Sequence, residues 1–160
     1  MLDWIANSEY AAWVNQSAGW PIALTLHAFG TATVVGLSFI IALRLLGLFR
    51  TIPYTALSKM IVFIWIGVAC QVVSGLTLWT VKPGQYLADG MFEMKMGFLA
   101  ISLIVTVILQ KTVKREAPAW ETAGTTSSRG TWFVAATALL WSAVTIGGRL
   151  TAYLGTLYPT

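Results

Sequence analysis

The chain has 160 residues, of which 57% are hydrophobic and only 10% carry a charge. A soluble domain needs roughly 25% charged residues to cover its surface, so this composition excludes a water-soluble domain and indicates an integral membrane protein. The net charge of +4 gives no reason to expect a nucleic-acid partner, because most basic residues gather in two loops beside apolar segments, where anionic membrane lipid attracts them.

The segment before the first apolar run carries Asp3 and Glu9 and no basic residue. It therefore lacks the basic region of a cleavable signal peptide, and we expect it to be retained. Within it, residues 8–17 offer Ser8 as an N-cap together with aromatic side chains, which predicts a short helix at the outer membrane interface. Cys70 is the single cysteine, so the chain forms no internal disulfide.

Four apolar segments are each long enough, at about 1.5 Å per residue, to cross a hydrocarbon core of roughly 30 Å. They cover residues 20–43, 60–81, 92–110 and 131–154. The prediction is an all-α integral membrane protein, with a four-helix bundle in one transmembrane domain over residues 1–160.

The loops that join these segments differ in charge. The first loop holds Arg44, Arg50 and Lys59 and no acid. The third holds four bases, namely Lys111, Lys114, Arg115 and Arg129. By the positive-inside rule these two loops face the cytoplasm, which places both termini outside.

Three ionisable side chains lie at membrane depth near the outer boundary. His27, the only histidine, lies about 10 Å below it, in a stretch from Pro21 to Leu43 that contains no charged residue. Lys95 lies within about one turn of this boundary, and Arg149 about 7 Å below it. Such residues are costly in a membrane and are therefore candidates for function.

Helical spacing predicts that these side chains face the other helices, because residues three, four and seven apart share a face and small or polar stripes pack together in lipid. The candidate cofactor-binding residues that converge in this way are His27, Gly30, Gln71, Ser74, Lys95 and Arg149. The expected result is a polar pocket in the outer leaflet, with His27 and Lys95 as the candidate metal ligands.

A b-type haem (haem b) would use this set of side chains. Its iron takes an imidazole ligand, its propionates need cations near the aqueous edge, and its flat ring needs small neighbours such as Gly30. In this interpretation His27 ligates the iron and Arg149 pairs with a propionate. Lys95 is either a second propionate partner or the sixth ligand, and the methionines on either side of it are alternative ligands.

Structural roles are an open alternative for the same residues. His27 can form a hydrogen bond across helices to Gln71 or Ser74, while Lys95 and Arg149 can extend toward the interface without a ligand. The chain would then be a non-enzymatic accessory or scaffold subunit of a larger membrane complex. A third alternative is a copper or solute permease, although one histidine and scattered methionines make a poor copper path.

Four strings stand out between Gly19 and Leu154: LHAFGTATVVG, ALRLLGLFR, LADGMFEMKMGFL and GGRLTAY. They place a histidine early in the first span, a lysine at the start of the third and a Gly-Arg pair near the end. In this the chain resembles an uncharacterised bacterial family of four-helix membrane proteins. The resemblance implies a location in the bacterial inner membrane and carries no assigned activity.

The histidine of the first span and the lysine of the third are also distantly similar to positions in HemJ-type protoporphyrinogen oxidases and, more loosely, in CopD-type copper-resistance membrane proteins. In the HemJ-type group the corresponding residues are held to be essential and to bind haem, which implicates His27 and Lys95. Because this chain has no second histidine, we do not expect that oxidase activity or a two-haem transmembrane cytochrome.

The expected function is therefore that of an inner-membrane protein that binds one b-type haem in the periplasmic leaflet and has a redox or electron-transfer role. Its expected partners are membrane lipid and either a redox partner or a larger membrane complex.

Overall fold

The structure, a computed structural model, describes the backbone of residues 2–157 and the side chains of residues 2–150. Over these residues the chain is helical and contains no strand, which confirms the all-α prediction. The helices are α1 (Asp3–Ala6), α2 (Glu9–Gln16), α3 (Gly19–Leu45), α4 (Leu57–Trp79), α5 (Pro83–Ala88), α6 (Gly90–Ala123) and α7 (Ser128–Leu157), and a 3₁₀ turn spans Tyr54–Ala56.

Four of these helices are long and apolar enough to cross a membrane, namely α3, α4 with the preceding 3₁₀ turn, α6 and α7. This confirms the prediction of a multi-pass helical bundle. The short helix predicted before the first span is α2, and the Ser8 hydroxyl accepts a hydrogen bond of 3.1 Å from the Ala11 amide, as an N-cap does.

Helix α6 is longer than the apolar segment that predicted it. The predicted span ends at Gln110, whereas the helix continues to Ala123. This polar extension buries Val113 and Trp120, which lie two turns apart on one face, so packing against the bundle keeps it helical. Gly124, whose φ of 68° is left-handed, ends the helix.

The four long helices alternate in direction, so the bundle has two different ends. The terminal end carries α1, α2 and α5, and a hydrogen bond of 2.9 Å between Tyr10 Oη and Thr77 Oγ1 joins α2 to α4 there. The loop end carries residues 46–56 and 124–127. Helix α3 packs along α4 and α7, and α6 packs along α7, whereas α4 and α6 make few contacts with each other.

At the loop end, a buried cation and a carboxylate hold the connection between α3 and α4. Arg44 is buried, donates from Nε to the Ile52 carbonyl, and has its Cζ 3.7 Å from the centre of the Tyr54 ring. Glu121 accepts hydrogen bonds from the backbone amides of Tyr54, at 2.6 Å, and Thr55, at 3.3 Å. These charge-assisted contacts fix the loop against α6.

The apolar core occupies the half of the bundle near the loop end. Its fully buried side chains come from all four long helices, for example Val34 and Ile41, Ile61 and Ile64, Leu109 and Val113, and Val134 and Trp141. Toward the terminal end, exposure along one face of α4 rises from 0% at Ile61 to 48% at Val72, and no residue of α6 before Ser102 is buried. In the terminal half, the parts of α4 and α6 that include Val72 and Lys95 are thus less buried than the loop-end half and make few contacts with each other, and we call this region the wedge.

Helices α3 and α4 approach each other closely at Gly30 and Gly67. A Cβ atom on Gly30 would lie 2.8 Å from the Gly67 carbonyl oxygen, and a Cβ atom on Gly67 would lie 2.9 Å from Cγ2 of Val34. Only glycine allows this approach without displacing the backbone, and such small-residue contacts are typical of helices that pack in lipid.

Candidate functional site

His27 lies on α3 and contacts α4 beside the wedge. Its Nδ1 is 2.9 Å from Oγ of Ser74, a residue that is only 1% exposed. The Ser74 hydroxyl in turn donates a hydrogen bond of 2.6 Å to the carbonyl of Cys70, one turn earlier in α4. The predicted cross-helix contact between His27 and Ser74 is therefore present.

Two glycines near His27 have different surroundings. Gly30 packs directly against Gln71 of α4, because a Cβ atom added to Gly30 would lie only 2.8 Å from Cγ of Gln71. Gly30 therefore serves the packing of α3 on α4. Gly75, in contrast, lies against the imidazole itself, and a Cβ atom there would be 3.4 Å from Cε1 of His27. The small residue that makes room beside the histidine ring is Gly75.

Gln71 reaches α3 one turn away from the imidazole. Its amide Nε2 donates a hydrogen bond of 3.2 Å to Oγ1 of Thr31, and the Thr31 hydroxyl donates one of 2.9 Å to the backbone carbonyl of His27. Gln71 and Ser74 thus both connect α4 with the segment of α3 that carries His27. This arrangement restricts how the histidine backbone and ring can move.

Lys95 is half-buried and lies on the same face of α6 as the buried Ser102 and Thr106. Its side chain runs along a pair of glycines in α7. A Cβ atom on Gly148 would lie 3.4 Å from both Cε and Nζ of Lys95, and one on Gly147 would lie 3.9 Å from its Cβ. Lys95 therefore lies at van der Waals distance from both positions, and a side chain longer than a methyl group at Gly148 would meet it.

The ammonium of Lys95 has no hydrogen-bond or ion-pair partner among the side chains that the structure describes. The same holds for the guanidinium of Arg149, which is exposed near the terminal end of α7. Both charges act electrostatically on the imidazole of His27, and no hydrogen bond joins the three groups to one another. Their convergence on one ligand stays a prediction.

The donor set limits the kind of metal centre that fits. Among residues 2–150 there is no group of three or more His, Cys, Asp or Glu side chains that could hold a metal ion. A bare ion held by three or more such side chains therefore does not fit the described residues. A metal that brings its own macrocyclic ligand needs only one or two protein ligands, and His27 and Lys95 can supply these.

Two depressions in the described surface lie elsewhere. One is at the terminal end and is lined by Leu2, Asp3, Ala6, Lys82, Pro83, Gly84 and Gln85. The other lies along the outward face of α3 and is lined by Pro21, Ile22, Thr25, Leu26 and Phe29. Neither includes a residue that the sequence singled out.

Sequence reasoning did not assign a role to Gly148 or to the backbone carbonyl of Cys70. The two consecutive glycines directly before Arg149 were a usable signal for Gly148, because small residues on an inward stripe of a membrane helix make room for a neighbouring side chain. The role of Cys70 lies in its backbone carbonyl, so the identity of its side chain gave no signal.

Comparison of the chain with protein-family models, with curated proteins and with solved structures gives no match.

Proposed function

We propose that this chain is a bacterial inner-membrane protein that binds one b-type haem at the wedge and serves a redox or electron-transfer role. The observation that carries the proposal is a charge imbalance beside a histidine. Lys95 and Arg149 bring two cations to the region of His27, and no described carboxylate pairs with either of them.

The acids nearest to Lys95 in the chain do not correct this imbalance. Glu93 is exposed and lies two residues from Lys95, so the two side chains point to different faces of α6. The carboxylate of Asp89 accepts a hydrogen bond of 2.9 Å from the Met91 amide at the start of the helix. Unpaired charges at membrane depth are costly, which favours a ligand that is itself anionic.

Haem satisfies these conditions together. It carries two propionates that the cations of Lys95 and Arg149 can pair with, and Arg is suited to bidentate binding of a carboxylate. At the wedge α4 and α6 make few contacts with each other, and the residue beside the His27 ring, Gly75, has no side chain. The hydrogen bond of the His27 ring to Ser74 uses Nδ1, so Nε2 is the nitrogen that would bind the iron.

In this function His27 would hold the iron, Arg149 would bind one propionate, and Lys95 would bind the other or act as a second ligand. The apolar core below the wedge excludes water from the loop-end side of the bound group. Haem supplies one-electron chemistry when it is bound. The protein would pass electrons between a periplasmic partner and the quinone pool of the membrane, or oxidise a small apolar substrate.

The test uses the full-length chain, purified in detergent after expression in haem-replete cells. We expect a red protein with a Soret band that His27→Ala abolishes, whereas Lys95→Gln and Arg149→Gln weaken haem binding. Arg50→Gln is the matched control, because it removes an exposed cation at the opposite end of the bundle. A colourless preparation that also fails to take up added haemin would overturn the proposal.

A scaffold role is the second candidate, and a specific observation favours it. The bonds from His27 to Ser74 and from Gln71 to Thr31 already join α3 to α4 without any ligand. In that case the chain would be an accessory subunit of a larger membrane complex, the preparation would be colourless, and His27→Ala would lower only its thermal stability. The visible spectrum therefore separates the two functions.

A further inference from the structure

We propose that Ser74 is a positioning residue that fixes which nitrogen of His27 carries the proton, holding the ring as the Nδ1–H tautomer with the lone pair on Nε2. The inference rests on the proposed function for its consequence, since it explains how Nε2 is kept ready to bind a metal centre. The tautomer itself is a property of the chain alone.

The argument begins with the single proton of the Ser74 hydroxyl. The carbonyl oxygen of Cys70 can only accept a hydrogen bond, so the contact of 2.6 Å between it and Ser74 Oγ requires that the hydroxyl donate to the carbonyl. Once that proton is committed, Ser74 Oγ can only accept from His27. The nitrogen that lies 2.9 Å away, Nδ1, must then be the one that carries a proton.

A second carbonyl of α4 agrees with this assignment. Ser74 Oγ lies 3.3 Å from the carbonyl of Gln71, in addition to that of Cys70. Both carbonyls can only accept, so the Ser74 proton points into α4 and not toward His27. Ser74 is almost fully buried, and water therefore does not compete for these contacts.

A neutral imidazole that carries its proton on Nδ1 presents its lone pair at Nε2. Histidines that bind metals commonly donate their other N–H to a carbonyl, carboxylate or water, which sets the orientation of the ring and raises its basicity as a ligand. The two consecutive hydrogen bonds, from His27 to Ser74 and from Ser74 to the Cys70 carbonyl, orient the ring in this way, and both acceptors belong to α4. The structure thus assigns a role to a serine that does not itself touch the bound group.

The direct test uses the fact that the chain has one histidine. The full-length protein, labelled with ¹⁵N in histidine only and kept free of haem, gives imidazole resonances from His27 alone. At mildly alkaline pH we expect the Nδ1–H tautomer, with Nε2 as the unprotonated nitrogen. The opposite tautomer, or an equal mixture of the two, would overturn the inference.

Variants then test the role of Ser74. Ser74→Ala removes the oxygen that accepts from Nδ1, so we expect the preference for Nδ1–H to weaken and haem affinity to fall roughly 10–100-fold, as is usual when a metal-binding histidine loses its supporting partner. Ser74→Thr keeps a hydroxyl and is expected to restore both. Ser38→Ala is the matched control, because Ser38 is equally buried and bonds its own helix at the Val34 carbonyl.

The outcomes distinguish this inference from the proposed function. If the tautomer is Nδ1–H but the protein binds no haem, the proposed function fails and the assignment of the proton stands. If haem binds but Ser74→Ala changes neither the tautomer nor the affinity relative to Ser38→Ala, the positioning role fails and the proposed function stands. If Ser74→Ala does not fold, the tautomer measured in the unaltered protein still decides the proton assignment.

Discussion

Lys95 and Gly148 lie against each other across the interface of α6 and α7, where a Cβ atom on Gly148 would be 3.4 Å from both Cε and Nζ of the lysine. A methyl group at residue 148 would therefore just touch the lysine side chain, and a longer side chain there would collide with it. This contact positions a cation that has no described anionic partner in the terminal half of the bundle.

The contact between Lys95 and Gly148 predicts that haem content depends on the size of the side chain at residue 148. Gly148→Ala is expected to be nearly silent, because 3.4 Å is an ordinary van der Waals distance and Lys95 need not move. Gly148→Leu is expected to displace the ammonium and to reduce haem content to the level of Lys95→Gln. The measurement is the Soret absorbance per mole of purified protein.

Gly97→Leu is the control for this experiment, since a Cβ atom at Gly97 meets no atom within 4 Å. It tests whether any large substitution at a glycine of these helices lowers haem content. If Gly148→Leu keeps full haem content while Lys95→Gln loses it, the contact with Gly148 does not position the lysine.

The close approach of α3 and α4 predicts a difference between two glycines of the same helix. Gly30→Ala would bring its Cβ to 2.8 Å from the Gly67 carbonyl oxygen, which forces the helices apart and is expected to destabilise the bundle by about 1–3 kcal/mol. Gly36→Ala meets no atom within 4 Å and is expected to be neutral or slightly stabilising, because alanine favours a helix over glycine.

Thermal unfolding of both variants in the same detergent measures this difference. A lower midpoint for Gly30→Ala alone supports a tight crossing at this point. Equal midpoints for the two variants would mean that α3 and α4 do not approach each other as closely as the structure has them.

The sequence predicted the four long helices, because hydropathy sets the length of a span, and it predicted the contact of His27 with α4 at Ser74, because the period of a helix sets its faces. It could not predict the wedge. Helical periodicity indicates which residues point inward, but how closely α4 approaches α6 depends on how the core residues of all four helices fit together. The different roles of Gly30 and Gly75 follow from the same fit.

The extension of α6 beyond Gln110 was missed for a different reason. The hydropathy of that segment falls, and the prediction followed hydropathy. A periodic signal was nevertheless present, since Val113, Ala117 and Trp120 recur at the spacing of one helical face. The polar extension of α6 is therefore indicated by the helical spacing of its apolar residues and not by its mean hydropathy.

Glu121 at the end of α6 is predicted to stabilise the loop end. Its carboxylate accepts hydrogen bonds from the amides of Tyr54 and Thr55, where the chain enters α4. We expect Glu121→Ala to lower the free energy of unfolding by about 0.5–2 kcal/mol, the usual loss when a side chain that caps a helix start is removed. Glu121→Gln keeps an acceptor without the charge and is expected to cost less.

Thr122→Ala is the neighbouring control, because the Thr122 hydroxyl bonds only the Pro118 carbonyl of its own helix. Chemical or thermal unfolding in detergent compares the three variants. If Glu121→Ala is no less stable than Thr122→Ala, the carboxylate does not hold the loop.

The orientation of the bundle determines which leaflet contains His27, and it can be tested with single cysteines. Seven of the ten basic residues lie at or near the loop end, from Arg44 to Lys59 and from Lys111 to Arg129. Each such residue gains about 1 kcal/mol near an anionic cytoplasmic surface, so we expect the loop end to lie in the cytoplasm and the terminal end outside.

In a Cys70→Ala background, an impermeant thiol reagent applied to intact cells should label Gln85→Cys and should label Lys114→Cys only after permeabilisation. Both positions are exposed, so a difference in labelling reports the side of the membrane and not burial. The reverse pattern would move His27 to the cytoplasmic leaflet, and its redox partner would then have to be sought on that side.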